Sequence, residues 1–296
     1  MQNLIKLIVC ISLVFSCKAQ QKAPVSEPPL ANTLLWEISG KGITQPSYLF
    51  GTMHLVCADD AKISDSLKVA VNKSSAIFFE INMDDMSQMI GALKYIRMNG
   101  NKRLKDLLSA SDYEKVKTYF EKNPSILPLS MMESFKPFFI ASLLSEQTMP
   151  CPANEGMEQV IMKEAKSQGK KIQGLETVAF QASIFDSIPY ELQARELVKM
   201  IEGGDSTDTQ SGDLLEAYRN QDLQKMQEFT LKEDGLISSN LDLLLFNRNA
   251  RWAKQIDSLV QTKTLLFAVG AAHLPGDKGV IRLLQKQGYM LRPMKN

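Results

Sequence analysis

Apolar and polar positions alternate as in a strand along Leu34-Leu35-Trp36-Glu37-Ile38, and Ser47 to Thr52, with its apolar run Tyr48-Leu49-Phe50, reads as a second strand. Gly40-Lys41-Gly42 lies between them, so a hairpin opens the fold. Residues 59–74 carry Ile63, Leu67, Val69 and Val71 at helical spacing, and Ala76-Ile77-Phe78-Phe79-Glu80-Ile81 is an apolar strand interrupted by one carboxylate. From about residue 83 to 147 the pattern is helical: a methionine-rich stretch at 83–98, an amphipathic one at 111–122 and an apolar one at 131–147. Asn123-Pro124 and Leu127-Pro128 break between them. The methionine stripe fits either core filling or the lining of an apolar peptide groove. A loop at 149–156, a helix at 157–168 and a short strand Lys171–Glu176, ending on a second carboxylate, come next. Helices are expected at 177–187, 190–202, 211–219, 222–233 and 241–260, with a flexible joint at 203–212. The last unit is a strand at 264–269, a helix at 277–287 and a strand at 289–292.

Two of these segments echo each other. Tyr48-Leu49-Phe50-Gly51-Thr52-Met53-His54-Leu55 and Leu266-Phe267-Ala268-Val269-Gly270-Ala271-Ala272-His273-Leu274 both run from strand to Gly-x-x-His-Leu, and they hold the only two histidines of the chain. Strand, Gly-x-x-His, helix, strand thus occurs at 47–81 and at 264–292, a weak internal repeat. An approximate two-fold relation between the units would bring both imidazoles to one cleft. The expected fold is α/β, with a mixed central sheet built from two related strand-Gly-x-x-His-helix-strand units and a large helical insertion between them. One domain spans 33–296, with the helical insertion at about 83–147 and a helical region at about 177–260.

Composition places this domain. Of 296 residues 44% are hydrophobic, enough for a substantial core. Residues 1–16 hold one charge, Lys6, and the apolar run Leu7 to Phe15, which predicts a secretory signal. Val14-Phe15-Ser16-Cys17 resembles a bacterial lipoprotein box, implying cleavage before Cys17 and its acylation; a plain signal peptide with an incidental cysteine is the alternative. Residues 17–32, polar and proline-bearing, form a tether. This places the protein in the cell envelope, held to a membrane through Cys17 and facing the periplasm, since no run of acids follows the cysteine. Loss of the signal leaves 33 basic against 33 acidic residues, so the charge that drives nucleic-acid binding is missing. Cys57 and Cys151 then remain, either as two buried thiols or as one disulfide closing a loop of about 95 residues, worth about 4 kcal/mol on the loop-entropy model.

An imidazole after a Gly-x-x turn at a strand end can meet a ligand closely, because glycine puts no Cβ in the way. Two histidines with one or two carboxylates make a ligand set for a borderline divalent ion such as manganese, cobalt or zinc. His54, His273, Glu80 and Glu176 are the candidate ligands, the glutamates because a charge in or at the end of an apolar strand needs a partner. Each histidine alone would be read as a satisfied structural residue; their matched contexts favour a shared site. No Gly-x-Ser-x-Gly elbow, Walker loop or Gly-x-Gly-x-x-Gly occurs. Cys57, three residues after His54, suits a structural role better than a nucleophilic one. Arg248, Asn249, Arg251 and Trp252 gather on one helix, either as a solvated basic face or as a clamp for a substrate carboxylate or carbonyl.

Leu-Trp-Glu-Ile at 35–38, Ser-Tyr-Leu-Phe-Gly-Thr-Met-His at 47–54, Phe-Phe-Glu-Ile at 78–81, Gly156-Met157-Glu158, Gly174-Leu175-Glu176-Thr177 with Gln181, Arg248-Asn249-x-x-Trp252 and Val269-Gly270-Ala271-Ala272-His273-Leu274 resemble the TraB/GumN family, which includes the Tiki proteins. The resemblance spans about 33–294 and implies a fold similar to the erythromycin-esterase and ChaN-like group. It also implies metal-dependent peptidase chemistry, with His54, His273 and Glu80 at the family's functional positions. Glu176 is added from its placement alone. The family often has aspartate where Glu158 stands here, so no role is assigned to that position. The resulting expectation is an envelope lipoprotein with a metal-dependent hydrolase site, a peptidase, in which a glutamate activates water and Arg248 with Asn249 orients the substrate or stabilises its oxyanion. The alternative is a non-catalytic protein that binds a peptide, a pheromone-like molecule or haem in the same cleft.

Overall fold

The computed structural model describes residues 28–123, 127–147, 149, 151, 153–203, 205–232 and 236–296. The signal segment, Cys17 and all but the end of the tether lie outside them. The first two expected strands pair as β1 (Leu35–Gly40) and β2 (Ser47–Thr52), antiparallel with Leu35 opposite Phe50. Gly40, Lys41 and Gly42 all take positive φ in the turn, which two glycines tolerate without strain. A two-residue strand β3 (Val56–Cys57) follows, and then β4 (Ala76–Ile81). Beyond the insertion come β5 (Asn154–Glu155), β6 (Lys171–Glu176), β7 (Leu265–Gly270) and β8 (Tyr289–Pro293).

Six of these strands form one mixed sheet in the order β6-β4-β7-β2-β1-β8, and β3 pairs with β5 in a separate ribbon. The four strands β6, β4, β7 and β2 are mutually parallel; β1 is added antiparallel beside β2, and β8 pairs antiparallel with β1, so it runs in the direction of the four. Such strands, covered on both faces, need continuous apolar sequence rather than alternation, which Leu265-Leu266-Phe267-Ala268-Val269 supplies. The Gly-x-x-His strands are direct neighbours, Thr52 standing beside Gly270. Each crossover leads to the opposite half of the sheet: the chain leaves β2 for β4 past β7, and leaves β7 for β8 past β2 and β1.

Helix boundaries follow local chemistry. The first helix spans Asp65–Lys73 and begins later than the expected residue 59, because the Ser64 side chain accepts the Leu67 N–H and caps it there. The insertion carries helices Met86–Tyr95, Ala110–Lys122 and Pro137–Gln147, with short turns at Leu104–Leu107 and Leu129–Met132. A helix over Asp205–Arg219 replaces most of the expected joint at 203–212; buried Leu215, Ala217 and Tyr218 anchor its end, and elongation through the preceding polar turns follows cooperatively. The expected helix 241–260 is broken into a π turn, Asp242–Phe246, and a helix, Asn247–Leu259. No helix of the described residues is long and apolar enough to cross a membrane.

Leu35, Ile38, Leu49, Ile77, Leu266 and Phe267 form the heart of the main core, all but inaccessible to solvent. A second core holds Leu104, Val116, Phe120, Met132, Ile140 and Leu144 of the insertion against Ala194, Leu197 and Val198 of helix Tyr190–Gly203. Each such aliphatic or aromatic side chain contributes roughly 1.5–3 kcal/mol by leaving water.

Candidate functional site

Parallel strands all deliver their next residues to the same rim of a sheet, the C-terminal one, where ligands bind in open α/β folds. Here four adjacent strands end together. Glu80 lies at the end of β4, Glu176 ends β6, His54 comes after β2 and His273 after β7. The second Gly-x-x-His turn folds as one 3-10 turn, Ala271–His273. Its glycine has a steric reason: a Cβ at Gly270 would stand 3.1 Å from Glu80 Oε1, on the side where the Gly270 N–H donates to that oxygen at 2.9 Å.

Glu80 is buried and both its oxygens are held. Oε1 accepts from Gly270 N–H, and Oε2 accepts from Gln181 Nε2 at 3.0 Å and from an Arg248 terminal nitrogen at 2.5 Å. Burial works against its charge, yet the Arg248 and His54 charges and the Gly270 N–H, with His273 where it is protonated, outweigh it and hold the carboxyl at about 2. Glu176, 3% exposed at its side chain, accepts from Arg248 Nε and from a terminal nitrogen of Arg251 at 2.9 Å. Arg251 in turn lies 3.9 Å over the Phe180 ring and is 43% exposed.

His273 is enclosed. Its Nδ1 is 2.6 Å from Asn249 Oδ1, and its Nε2 is 3.2 Å from an Arg248 terminal nitrogen and 3.7 Å from Glu80 Oε1. Trp252 covers it at 4.4 Å between ring centres. An arginine can only donate, so Nε2 is an acceptor and the proton sits on Nδ1, facing the amide oxygen. Burial holds this imidazole down at about 3, against the pull of Glu80, so it is neutral near pH 7. Asn249 is anchored in its turn, donating to the Lys278 carbonyl at 2.9 Å.

His54 is the open member, with 72% of its side chain exposed. Its Nδ1 pairs with Glu158 Oε1 at 2.8 Å. That contact, more than offsetting partial desolvation, pushes the imidazole up to about 9, with Glu80 adding to the rise and Arg248 opposing it. Glu80 and Arg248 act electrostatically on both imidazoles, which ties His54 and His273 to the same pair of charges. Glu158 reaches His54 because Gly156 lets its helix, Met157–Ser167, approach closely: a Cβ there would lie 2.8 Å from the His54 carbonyl. Met157 N–H also donates to the Met53 carbonyl at 3.1 Å. A disulfide between Cys57 and Cys151, with Cα atoms 5.7 Å apart, ties the loop preceding β5 to β3.

Sequence reasoning singles out His54, His273, Glu80, Glu176, Arg248 and Asn249, and the structure brings all six to this end of the sheet. It assigns no role to Glu158, although the place of that residue in the first turn after Gly156, facing the His54 loop, makes it the partner of the exposed imidazole. Gln181, which enters only through the resemblance, holds Glu80. Arg248 and Asn249 spend their polar atoms on Glu80, Glu176, His273 and backbone carbonyls. They brace the site's own side chains.

The donors do not fit a divalent ion as they stand. Among the described residues no three His, Cys, Asp or Glu side chains converge as a metal-binding group. The Arg248 guanidinium fills the space between Glu80, Glu176 and His273 and takes the Nε2 lone pair that an ion would use.

A family model described as the TraB/PrgY/gumN family matches residues 34–293. Among curated proteins, a "Metalloprotease TIKI homolog" of Amphimedon queenslandica is 25% identical over 97% of this chain and 66% of its own length. "Metalloprotease TIKI2" of Danio rerio is 22% identical over 90% of this chain and 61% of its own, and "Metalloprotease TIKI1" of Homo sapiens 23% over 87% and 61%. The chain thus spans about three-fifths to two-thirds of the length of these relatives. No solved structure matches it.

Proposed function

Because the chain belongs to the TraB/PrgY/gumN family, we propose that it is a hydrolase of peptide bonds, acting from the cluster at the ends of β2, β7 and β4. The observation that carries this is the pairing of two oppositely poised groups. Glu80 is a buried carboxylate held ionised, and His54 is an exposed imidazole held protonated by Glu158. Arg248 and Gln181 both engage Oε2, so Oε1 keeps an acceptor position beside its bond from Gly270 N–H. In the proposed reaction Oε1 takes a proton from water as the water oxygen attacks the peptide carbonyl, and His54 gives its Nε2 proton to the departing amine. Neutral His273, locked by Asn249 and Trp252, supports Arg248 and through it the orientation of Glu80. The relatives' printed names support the peptidase class.

Those names carry a metal dependence without saying which metal, and the described donor geometry does not suit an ion such as manganese, cobalt or zinc at His54, His273, Glu80 and Glu176. No step of the proposed reaction uses an ion. For location the proposal is a lipid anchor at Cys17 and an envelope protein facing the periplasm, supported by the residue pattern of 1–32. Labelled palmitate incorporated by the native chain and lost in Cys17→Ser is the expected result.

The functional test is incubation of the purified chain with a mixture of unstructured peptides and mass spectrometry of the products. Cleavage that disappears in folded Glu80→Gln and falls strongly in His54→Ala is expected. Peptides retained without cleavage by both native and Glu80→Gln protein would instead make this a binding protein. A Soret band on adding haem, lost in His54→Ala, would identify haem as its ligand.

A further inference from the structure

We infer that Arg248 is the resident cation of this centre, standing where a divalent ion would stand, so that the site is complete without a metal. The inference rests on the donor geometry and is independent of the hydrolase reading. A guanidinium has five N–H donors, and all five are spent. Nε donates to Glu176 at 3.1 Å, one terminal nitrogen to the Leu244 carbonyl at 3.0 Å and to His273 Nε2 at 3.2 Å, and the other to Glu80 Oε2 at 2.5 Å and Glu176 Oε2 at 2.9 Å. Three of the four side chains that sequence reasoning assigns to a metal therefore face one organic cation instead.

Charge counting agrees. Glu80 and Glu176 are balanced by Arg248 and Arg251, and the His273 Nε2 lone pair is already turned toward the guanidinium. A divalent ion added to this set would leave two uncompensated positive charges in a buried place, a costly state unless the arginine left. The backbone is shaped to the same end. The Leu244 carbonyl that accepts the guanidinium belongs to the π turn Asp242–Phe246, a distortion of the helix one residue before it resumes at Asn247. His273 is also set as an acceptor toward Arg248 by its bond to Asn249, and Trp252 lies against the guanidinium at 4.7 Å.

The test is metal content of the full chain, purified without chelators or a histidine tag, after incubation with manganese, cobalt and zinc and removal of free ions. The native protein is expected to carry none of them above the background of a control protein. Arg248→Ala opens the space between Glu80, Glu176 and His273, and is expected to take up one ion per chain. Its Tm should rise with added zinc, a rise absent from the native protein and from Arg248→Ala combined with His273→Ala. A native chain holding one ion, lost in His54→Ala with His273→Ala, overturns the inference, as does a folded Arg248→Ala protein that takes up no ion. Should Arg248→Ala not fold, the native measurement decides alone. A native chain that holds no ion and cleaves no peptide leaves the inference standing while the hydrolase reading fails.

Discussion

At the residue scale the site is a study in contrast between two imidazoles. His54 keeps its proton because Glu158 faces its Nδ1, and His273 loses its own because burial outweighs Glu80. If His54 is the acid, turnover should hold below its pKa and fall as pH rises through about 9. In Glu158→Gln that alkaline limb should move down toward the ordinary histidine value of about 6.5. The His54 ring signal followed by NMR against pH checks the same shift without a substrate, and an unmoved midpoint would remove Glu158 from the role. The two arginines offer a second contrast. Removing Arg248 in Arg248→Met leaves two buried carboxylates short of a partner and should cost roughly 3–5 kcal/mol. Arg251→Met, at a side chain 43% exposed, should cost at most about 1 kcal/mol in a denaturant titration. Much of this scale was legible in the sequence. Two histidines in matched Gly-x-x-His settings announce a shared place, and a glutamate inside an apolar strand demands a partner. Glu158 was not legible, because an acid in the first turn of a helix already has a sufficient reason to be there. Nor was the work of Arg248, since nothing in a helical pattern tells an inward arginine from a solvated one.

At the element scale, the hairpin, the central strands and most helices could be read from periodicity, and the departures have local causes. Ser64 starts a helix late, and the π turn at Asp242–Phe246 interrupts one whose apolar spacing looked continuous. The partners of the short strands β3 and β5 could not be read, since two residues have no period. Cysteine counting left a disulfide and two free thiols open, and the structure joins Cys57 to Cys151. Replacing both with serine should destabilise the chain by about 4–5 kcal/mol on the loop-entropy model, measured by urea unfolding. Gly174 is a sharper test of strand ends. A Cβ there would fall 2.6 Å from the Asn82 backbone nitrogen, so Gly174→Ala must push β6 away from the end of β4. Loss of about 1–3 kcal/mol is expected, together with a changed Glu176 environment, and a neutral substitution would contradict the described register.

At the scale of the whole molecule the described residues form three apolar cores, one around the sheet, one where the insertion meets helix Tyr190–Gly203, and a smaller one of Ile184, Ile188, Leu236, Leu244 and Leu245. The functional cluster belongs to the first. Leu144→Ala, in the second, should cost about 2–5 kcal/mol and accelerate hydrogen exchange across residues 104–144, while the His54 titration stays where it was. The same substitution at Leu266 should raise exchange in β2, β4 and β7 together, and perturb both histidines. Periodicity and the paired motifs anticipate the mixed sheet and the inserted helices, but strand order is a long-range property that no local pattern carries.

That order has a consequence for how the molecule comes into being. β7, the strand flanked by β4 and β2, starts only at Leu265. Until it emerges, the sheet exists as two halves, β6 with β4 and β2 with β1, which share no edge. A nascent chain can therefore collapse its insertion early, but it must keep the edges of β4 and β2 that receive β7, and the edge of β1 that receives β8, unpaired and exposed to wrong partners nearly to the end of its synthesis. Delivery of the centre strand then joins the halves and sets the strand of the second Gly-x-x-His turn beside that of the first in one late event.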